Sequence, residues 1–242
     1  MTICILGGGF IARNLQKHFG VGSRVVERDE LDLTQFDKVR DFFDTNTFDH
    51  VILSATVGGS RLKEDPLDTV EQNLRMYTNV KTFYKTFIWF SSGAPVTTRY
   101  GYSKHLQELL TTDDYCLRIY NCFGEDELPT RFISTCKREK HVVIDADRRF
   151  DFFHVKHLAQ VVEYIMTHGH SNHIINMVYP EKYKLSEIAK MLGATCTING
   201  TSENDYIGEY NLPDGLKFTF SDCLNEHNQI LSPNASHYTG SS

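Results

Sequence analysis

The chain has 242 residues, 40% of them hydrophobic, and a formal net charge of −6 at pH 7. This length is sufficient for one large globular domain or a nucleotide domain with a small appendage, and the acidic balance without a basic block argues against a nucleic-acid partner. No stretch approaches about 18 consecutive apolar residues and no basic leader precedes the first apolar segment, so we expect a soluble cytoplasmic protein without a membrane partner.

A glycine turn lies between the first apolar segment, Ile3–Leu6, and an amphipathic stretch over Arg13–Phe19. Its G-x-G-x-x-A pattern at Gly7, Gly9 and Ala12 supplies a tight turn, a point where backbone approaches a pyrophosphate, and a small residue where helix packs on strand. Free N–H groups at the start of the helix would bind the phosphates. The dinucleotide contacts expected in this turn are Gly7, Gly9, Phe10 and Ile11.

Apolar strand-like segments alternate with helical spacings along the rest of the chain. The predicted strands are Ile3–Leu6, Arg24–Glu27, His50–Ala55, Phe87–Ser91, Tyr115–Tyr120 and His173–Met177. The predicted helices are Gln35–Asp44, Leu67–Tyr84, Tyr102–Leu110, Leu128–Arg138, Val155–Thr167 and Leu185–Leu192. This alternation favours β-α-β units, and we predict an α/β fold, a Rossmann-type doubly wound parallel sheet with helices on both faces.

The expected organisation is a dinucleotide-binding domain over residues 1–125, a smaller substrate cap over 126–224 that is interleaved with the last sheet strands, and a polar tail over 225–242. The six cysteines are scattered and show no C-x-x-C pair, so we predict reduced thiols. His168, His170 and His173 lie close together without a carboxylate or cysteine partner, which favours a solvated loop and no metal site.

Two adjacent residues after the second predicted strand give opposite indications about the cofactor. Glu27 lies about 20 residues beyond the glycine turn, where an acidic residue hydrogen-bonds a ribose diol and favours NAD. Arg28 would attract a 2′-phosphate instead and favours NADP. Both cofactors therefore stay open on this evidence.

The pair Tyr100 and Lys104 forms the second candidate site. On a helix, residues four apart share one face. A free phenol titrates near about 10, and a neighbouring ammonium favours the phenolate, so Tyr100 is a candidate proton donor or acceptor. The segment before it reads as a buried strand ending in two hydroxyls, and open α/β sheets bind ligands at the carboxyl ends of strands. The candidate catalytic residues are Tyr100, Lys104, Ser92 and Ser91.

The order of these motifs resembles the extended short-chain dehydrogenase/reductase family, which acts on nucleotide-activated sugars, and within it the GDP-L-fucose synthases most closely. The resemblance covers roughly residues 3–192 and is carried by Arg28–Leu33, Asp41–Phe43, Asp49–Leu53, Val57–Gly59, Gln72–Asn73, Tyr100–Lys104, Arg118–Gly124 and Phe152–Val155.

The resemblance implies that Tyr100 is the general acid, that Lys104 lowers the phenol pKa and holds the nicotinamide ribose, and that Ser92 or Ser91 polarises the substrate carbonyl. It places Arg28 near the adenosine 2′-phosphate, which favours NADP over NAD. Further implied contacts are Ala55 and Asn121 with the cofactor, and Val57, Gly58, Asn121 and either Arg149 or Arg148 with the substrate.

Two departures from the family pattern bear on the reaction. Fucose synthases have a cysteine two residues beyond the serine and a downstream histidine that move protons next to the ketone; this chain has Ala94 there and no histidine in Glu125–Ile133. We therefore expect an NAD(P)H-dependent reductase of a nucleotide-activated 4-keto-6-deoxysugar. The alternatives are an epimerase with tightly bound NAD and a catalytically idle NAD(P)-binding protein.

The resemblance also implies a homodimer, in which the helix that carries Tyr100 and the helix over Leu67–Tyr84 pair with their symmetry mates as a four-helix bundle.

Overall fold

The computed structural model describes residues 1–60, 62–201 and 204–224, so the predicted polar tail lies outside the described residues. Its strands are β1 (Ile3–Leu6), β2 (Ser23–Val26), β3 (His50–Leu53), β4 (Ile88–Ser92), β5 (Tyr115–Ile119), β6 (Cys122–Phe123), β7 (His141–Ile144), β8 (Phe153–His154), β9 (Ile174–Met177) and β10 (Thr195–Ile198). Its α-helices are α1 (Phe10–Phe19), α2 (Phe36–Thr45), α3 (Thr69–Phe83), α4 (Arg99–Leu109), α5 (Phe132–Glu139), α6 (Val155–His168) and α7 (Leu185–Met191).

Six parallel strands form the central sheet, in the order β2-β1-β3-β4-β5-β9. The chain moves outward from β1 to β2 and then crosses back to β3 on the other side of β1. In such a sheet the switch of direction opens a crevice at the carboxyl ends of the central strands, where ligands bind. The predicted doubly wound α/β class is confirmed.

The sheet is buried on both faces because its strands alternate apolar side chains between two cores. Ile5 and Ile52 belong to the core that includes residues of α1 and α6. Their strand neighbours Cys4 and Val51 belong to the core that includes residues of α2 and α3. Near-continuous apolar runs are the expected pattern for parallel strands covered by helices on both sides.

Helix α4 begins three residues before its predicted start because side-chain oxygens satisfy the first amide groups. The Thr98 hydroxyl accepts from the Gly101 N–H at 2.9 Å, and the Asp65 carboxylate accepts from the Tyr100 N–H at 2.9 Å. Capping of this kind stabilises a helix start by about 0.5–2 kcal/mol. As a result Tyr100 and Lys104 both lie on α4.

Beyond β5 the chain leaves the sheet and later returns to it as β9. The short strand β6 pairs with β8, and β7 pairs with β10, each as a two-stranded parallel sheet. Of the segments expected in the cap, α6 packs against α1 and therefore belongs to the layer that covers the sheet. The boundaries of the proposed domains, at residues 125 and 224, stay a prediction.

Candidate active site

The glycine turn after β1 is tight because it approaches the end of β3. Gly7 has φ of +110°, and a Cβ placed on it would lie 2.7 Å from the backbone nitrogen of Ala55. An L side chain would therefore be strained and would collide with backbone. Ala55, expected to contact the cofactor, packs against this turn and donates its N–H to the Leu6 carbonyl.

The start of α1 is open to a ligand. Its N-cap, Gly9, provides no side-chain hydrogen bond, and the first turn has no acidic residue. A Cβ placed on Gly9 would meet no atom within 4 Å. The space beside Gly9 is thus open at the positive end of the helix dipole, where the first backbone N–H groups of α1 lie, and this fits the pyrophosphate of a dinucleotide.

Glu27 and Arg28 lie just beyond β2, in different surroundings. The Glu27 carboxylate folds back over the glycine turn, 2.5 Å from a Cβ placed on Gly8, and pairs with Arg13 at 3.3 Å. Arg28 is exposed, and its guanidinium makes one long contact, 3.5 Å, with the Gln72 side chain. Arg28 forms no ion pair with any of the residues that the structure describes.

The two serines at the end of β4 have different partners. The buried Ser91 donates to the Glu108 carboxylate at 2.5 Å, and Glu108 also receives two hydrogen bonds from the Arg118 guanidinium. Ser92 accepts from the Ala94 N–H at 3.1 Å and interacts with the Tyr100 phenol, where it lowers the phenol pKa. The structure therefore places Ser92, rather than Ser91, beside the candidate proton donor.

The side chain of Tyr100, a residue of α4, packs against the loop after β3. A Cβ placed on Gly59 would lie 3.0 Å from the Cε1 and Cζ atoms of the Tyr100 ring, so this loop fits closely against the ring. Burial raises the pKa of Tyr100 to about 12, although Ser92 and Arg131 oppose the rise. This differs from the expected lowering by an ammonium and keeps the phenol protonated at neutral pH.

Lys104 presents a nearly buried ammonium to the same cavity. Its side chain is 4% exposed, and its Nζ lies 5.6 Å from the ring centroid of Tyr100 and 5.8 Å from that of Trp89. Burial lowers the pKa of Lys104 to about 8, against the opposing effects of Cys116 and Glu108. Its Nζ has no hydrogen-bond partner in the part of the chain that the structure describes, which leaves its donors available to ribose hydroxyls.

These groups line one cavity of about 870 Å³ between the carboxyl edge of the sheet and the segments that follow β5. Predicted site residues in its wall are Phe10, Ile11, Ser91, Ser92, Tyr100, Lys104, Asn121 and Arg148. Predicted residues outside its wall are Gly7, Gly9, Glu27, Arg28, Ala55, Val57, Gly58 and Arg149. Glu27 and Ala55 lie against the glycine turn that contains Gly7 and Gly9.

The structure separates the two arginines that sequence reasoning left as alternatives. Arg149 is paired with Asp205, with its Nε at 2.7 Å and its Nη2 at 2.6 Å from one carboxylate oxygen. Arg148 lines the cavity, and its guanidinium lies 5.3 Å from the ring centroid of Phe150. Of the two arginines, Arg148 lines the cavity and Arg149 does not.

Other predicted substrate residues have structural partners. The Asn121 side chain donates to the Asp151 carbonyl at 3.1 Å and so ties β5 to the segment before β8. Val57 exchanges two hydrogen bonds with the buried side chain of Asn73, which also donates to Ser103 on α4. Gly58 has φ of +86°, and a Cβ placed on it would lie 2.7 Å from an oxygen of Asp65.

Among the cavity residues that the sequence analysis did not predict, three interact with Tyr100: Asp65, Arg131 and Tyr206. Asp65 lies in an irregular segment, Arg131 precedes α5, and Tyr206 belongs to a stretch without periodic hydrophobicity. No local pattern marks these positions, because only the tertiary fold brings them beside Tyr100.

Two further observations concern metals and membranes. Within residues 1–60, 62–201 and 204–224, no group of three or more His, Cys, Asp or Glu side chains is arranged to hold a metal ion. Over the same ranges, no helix has the length and hydropathy needed to span a bilayer. The six cysteines are free thiols.

The glycine turn, the strand-end serine and the Tyr-Lys pair within a doubly wound sheet define an NAD(P)-dependent oxidoreductase. The chain belongs to the NAD dependent epimerase/dehydratase family, whose model matches residues 3–177. No curated protein matches the sequence.

Several solved structures share the fold. A GDP-mannoheptose C4 reductase from Campylobacter jejuni with NADP bound has a TM-score of 0.73 and 18% identity, covering 94% of this chain and 97% of its own. A GDP-D-glycero-L-gluco-heptose synthase from the same organism, in the presence of NADPH, has a TM-score of 0.75 and 16% identity over the same shares. A GDP-L-fucose synthetase from Naegleria fowleri bound to NADP has a TM-score of 0.71 and 13% identity, covering 94% of this chain and 92% of its own.

Proposed function

We propose that the protein reduces the keto group of a nucleotide-activated 4-keto-6-deoxysugar, with NADPH as the reductant. The observation that carries this proposal is the convergence of Ser92, Tyr100 and Lys104 in one cavity at the carboxyl edge of the sheet. The structural relatives that bind NADP or NADPH include reductases and synthases of GDP-linked sugars, which supports the same substrate class for this chain.

In the proposed reaction Tyr100 supplies the proton to the carbonyl oxygen. A phenol with a raised pKa is protonated at neutral pH and can donate a hydrogen bond to a ketone. Ser92, beside it, would donate a second hydrogen bond to the same oxygen and stabilise the charge that develops there. Lys104 would hold the nicotinamide ribose through its ammonium donors and stabilise the phenolate that remains.

The residues present fit a nicotinamide dinucleotide. The uncapped start of α1 and the open space above Gly9 suit the pyrophosphate, and the Lys104 ammonium suits the ribose hydroxyls. The cofactor would supply the hydride for reduction. We propose NADP over NAD because Arg28 is exposed and forms no ion pair in the described part of the chain, whereas Glu27 is engaged by Arg13.

The cavity lining argues against epimerisation by the cysteine-histidine route of the fucose synthases. In the fucose synthase pattern, a cysteine and a histidine move protons at the carbons next to the ketone, whereas this cavity wall has Ala94 two residues beyond Ser92 and Arg131 before α5. Cys122 also lines the cavity, but burial raises its thiol pKa well above the ordinary value. No histidine accompanies Cys122 among the described residues that line the cavity, so the cysteine-histidine pair of the fucose synthase pattern is missing from this wall.

The test is to follow nicotinamide absorbance while the purified protein is mixed with NADPH or NADH and a panel of GDP-, dTDP-, UDP- and CDP-4-keto-6-deoxysugars. We expect oxidation of NADPH with at least one of them and a released, exchangeable cofactor. Interconversion of sugars with tightly bound NAD and no net oxidation would favour the epimerase instead. Binding of cofactor with no reaction on any of the sugars would favour the idle binding protein.

We also propose a cytoplasmic homodimer formed through α3 and α4. These helices pack side by side, and α4 exposes Tyr102 and Leu109 at 46% and 68%. Apolar side chains on paired helices suit an isologous interface. Light scattering that reports a monomer at micromolar concentration would contradict the dimer.

A further inference from the structure

Asp65 connects the loop after β3 with the start of α4. One carboxylate oxygen accepts from the Gly59 N–H at 2.8 Å, and the other accepts from the Tyr100 N–H at 2.9 Å. The backbone carbonyl of Asp65 also accepts from the Arg99 guanidinium at 3.0 Å. A single side chain thus bridges the glycine loop and the residue that carries the phenol.

The bridge matters because the loop that it holds is the surface against which the Tyr100 ring rests. Gly58 and Gly59 have φ of +86° and +75°, a conformation that side chains other than glycine rarely adopt. The closest approach to a Cβ on Gly59 comes from Cε1 and Cζ of the Tyr100 ring, at 3.0 Å. A shift of this loop would therefore change the space in which the ring is held.

We propose that Asp65 is a positioning residue, which locks the Gly58–Gly59 loop against the Tyr100 ring and fixes the first turn of α4, so that the phenol keeps one orientation in the cavity. The inference rests on the proposed function, in which Tyr100 supplies the proton. Misplacement of a reacting group by about 1 Å can lower turnover by about 100-fold. Loss of the contacts that hold the phenol in place should therefore lower kcat measurably.

Asp65 also acts on the phenol through its charge. The groups that face Tyr100 are Ser92 on β4, Lys104 on α4, Arg131 before α5, Tyr206 in the cap, and Asp65 itself. Asp65 and Tyr206 favour the protonated phenol, whereas Ser92 and Arg131 favour the phenolate. Removing the charge of Asp65 should therefore make Tyr100 lose its proton at lower pH.

The experiment compares Asp65→Asn and Asp65→Ala with Glu64→Gln, which removes the neighbouring carboxylate. Glu64 is 87% exposed and pairs with Arg99, outside the cavity wall. With NADPH and GDP-4-keto-6-deoxymannose as probes, we expect kcat to fall by about 10- to 100-fold in Asp65→Ala and less in Asp65→Asn, with KM for NADPH unchanged.

Amide hydrogen exchange tests the positioning without turnover. Exchange at Gly59 and Tyr100 should rise in Asp65→Ala and stay unchanged in Glu64→Gln. Wild-type exchange rates in Asp65→Ala, or wild-type kcat in a folded Asp65→Ala, would overturn the inference. If Tyr100→Phe is inactive while both Asp65 variants behave as wild type, only the role of Asp65 is wrong. If Tyr100→Phe is fully active, the assignment of Tyr100 as the proton donor is wrong, and if the wild type does not oxidise NADPH with the sugar, the proposed function is wrong.

Discussion

The ammonium of Lys104 lies 5.8 Å from the ring centroid of Trp89, the single tryptophan of the chain. Trp89 belongs to β4 and is 1% exposed, so the lysine is held over a fixed aromatic surface inside the protein. Contacts of this kind favour the charged amine, by about 0.5–2 kcal/mol. Here burial outweighs that attraction, and the pKa of Lys104 is lowered to about 8.

The lowered pKa of Lys104 predicts a specific pH dependence of stability. Below pH 8 the folded protein buries a charge, whereas above about 10.5 the amine is neutral in both folded and unfolded states. The unfolded chain binds more protons between these limits, so the wild type gains stability as pH rises through this window. A shift of this size corresponds to about 3 kcal/mol in the free energy of unfolding.

Lys104→Met removes the buried charge and should be the more stable protein at neutral pH, by an amount that shrinks as pH rises from 8 toward 10.5. Urea unfolding followed by the fluorescence of Trp89 measures both proteins. Lys38→Met, which changes an exposed lysine on α2, serves as the control. A stability difference between Lys104→Met and wild type that is independent of pH would contradict this expectation.

The proposed preference for NADPH is tested at Arg28. A charge-assisted hydrogen bond to a phosphate contributes roughly 1.5–3 kcal/mol, so Arg28→Ala should weaken NADPH binding by about 10- to 100-fold. NADH lacks the 2′-phosphate and should bind the variant as it binds the wild type. Calorimetry with both cofactors measures this, and equal losses for the two would show that Arg28 faces elsewhere.

The adjacent arginines of the cap provide a matched pair. Arg148 lines the cavity, so Arg148→Ala should raise KM for the nucleotide sugar by about 10-fold or more through the loss of a charged hydrogen bond. Arg149 is paired with Asp205 outside the cavity wall, and Arg149→Ala should leave KM unchanged with a stability loss below about 1 kcal/mol. A larger KM effect in Arg149→Ala than in Arg148→Ala would reverse the assignment.

The strand-turn-helix start of the chain could be predicted because each signal in it is local. Ile3–Leu6 was predicted with the bounds that β1 has, and the glycine spacing fixed the turn that follows. The start of α4 at Arg99 was missed because one of its capping groups, Asp65, lies 35 residues from Tyr100 in sequence. A helix start stabilised from a distant loop leaves no periodic signal.

The choice between Ser91 and Ser92 likewise depends on contacts between residues that are distant in sequence. Adjacent strand residues point to opposite faces, so the sequence predicts that only one serine meets a given partner. In the structure Ser91 donates to the Glu108 carboxylate and Ser92 interacts with Tyr100, an assignment that depends on how α4 packs against β4. The strand β10 was also missed, since Thr195–Ile198 is largely exposed and pairs only with β7.

The most direct test of the account replaces the phenol and leaves the ring. Tyr100→Phe should fold, bind NADPH with wild-type affinity, and reduce the sugar about 10²- to 10⁴-fold more slowly, because the proton donor is lost. Tyr102→Phe, two residues on and 46% exposed, should retain wild-type turnover. The rates of NADPH oxidation by these two variants decide the matter: an active Tyr100→Phe beside an inactive Tyr102→Phe would contradict the assignment of the proton donor.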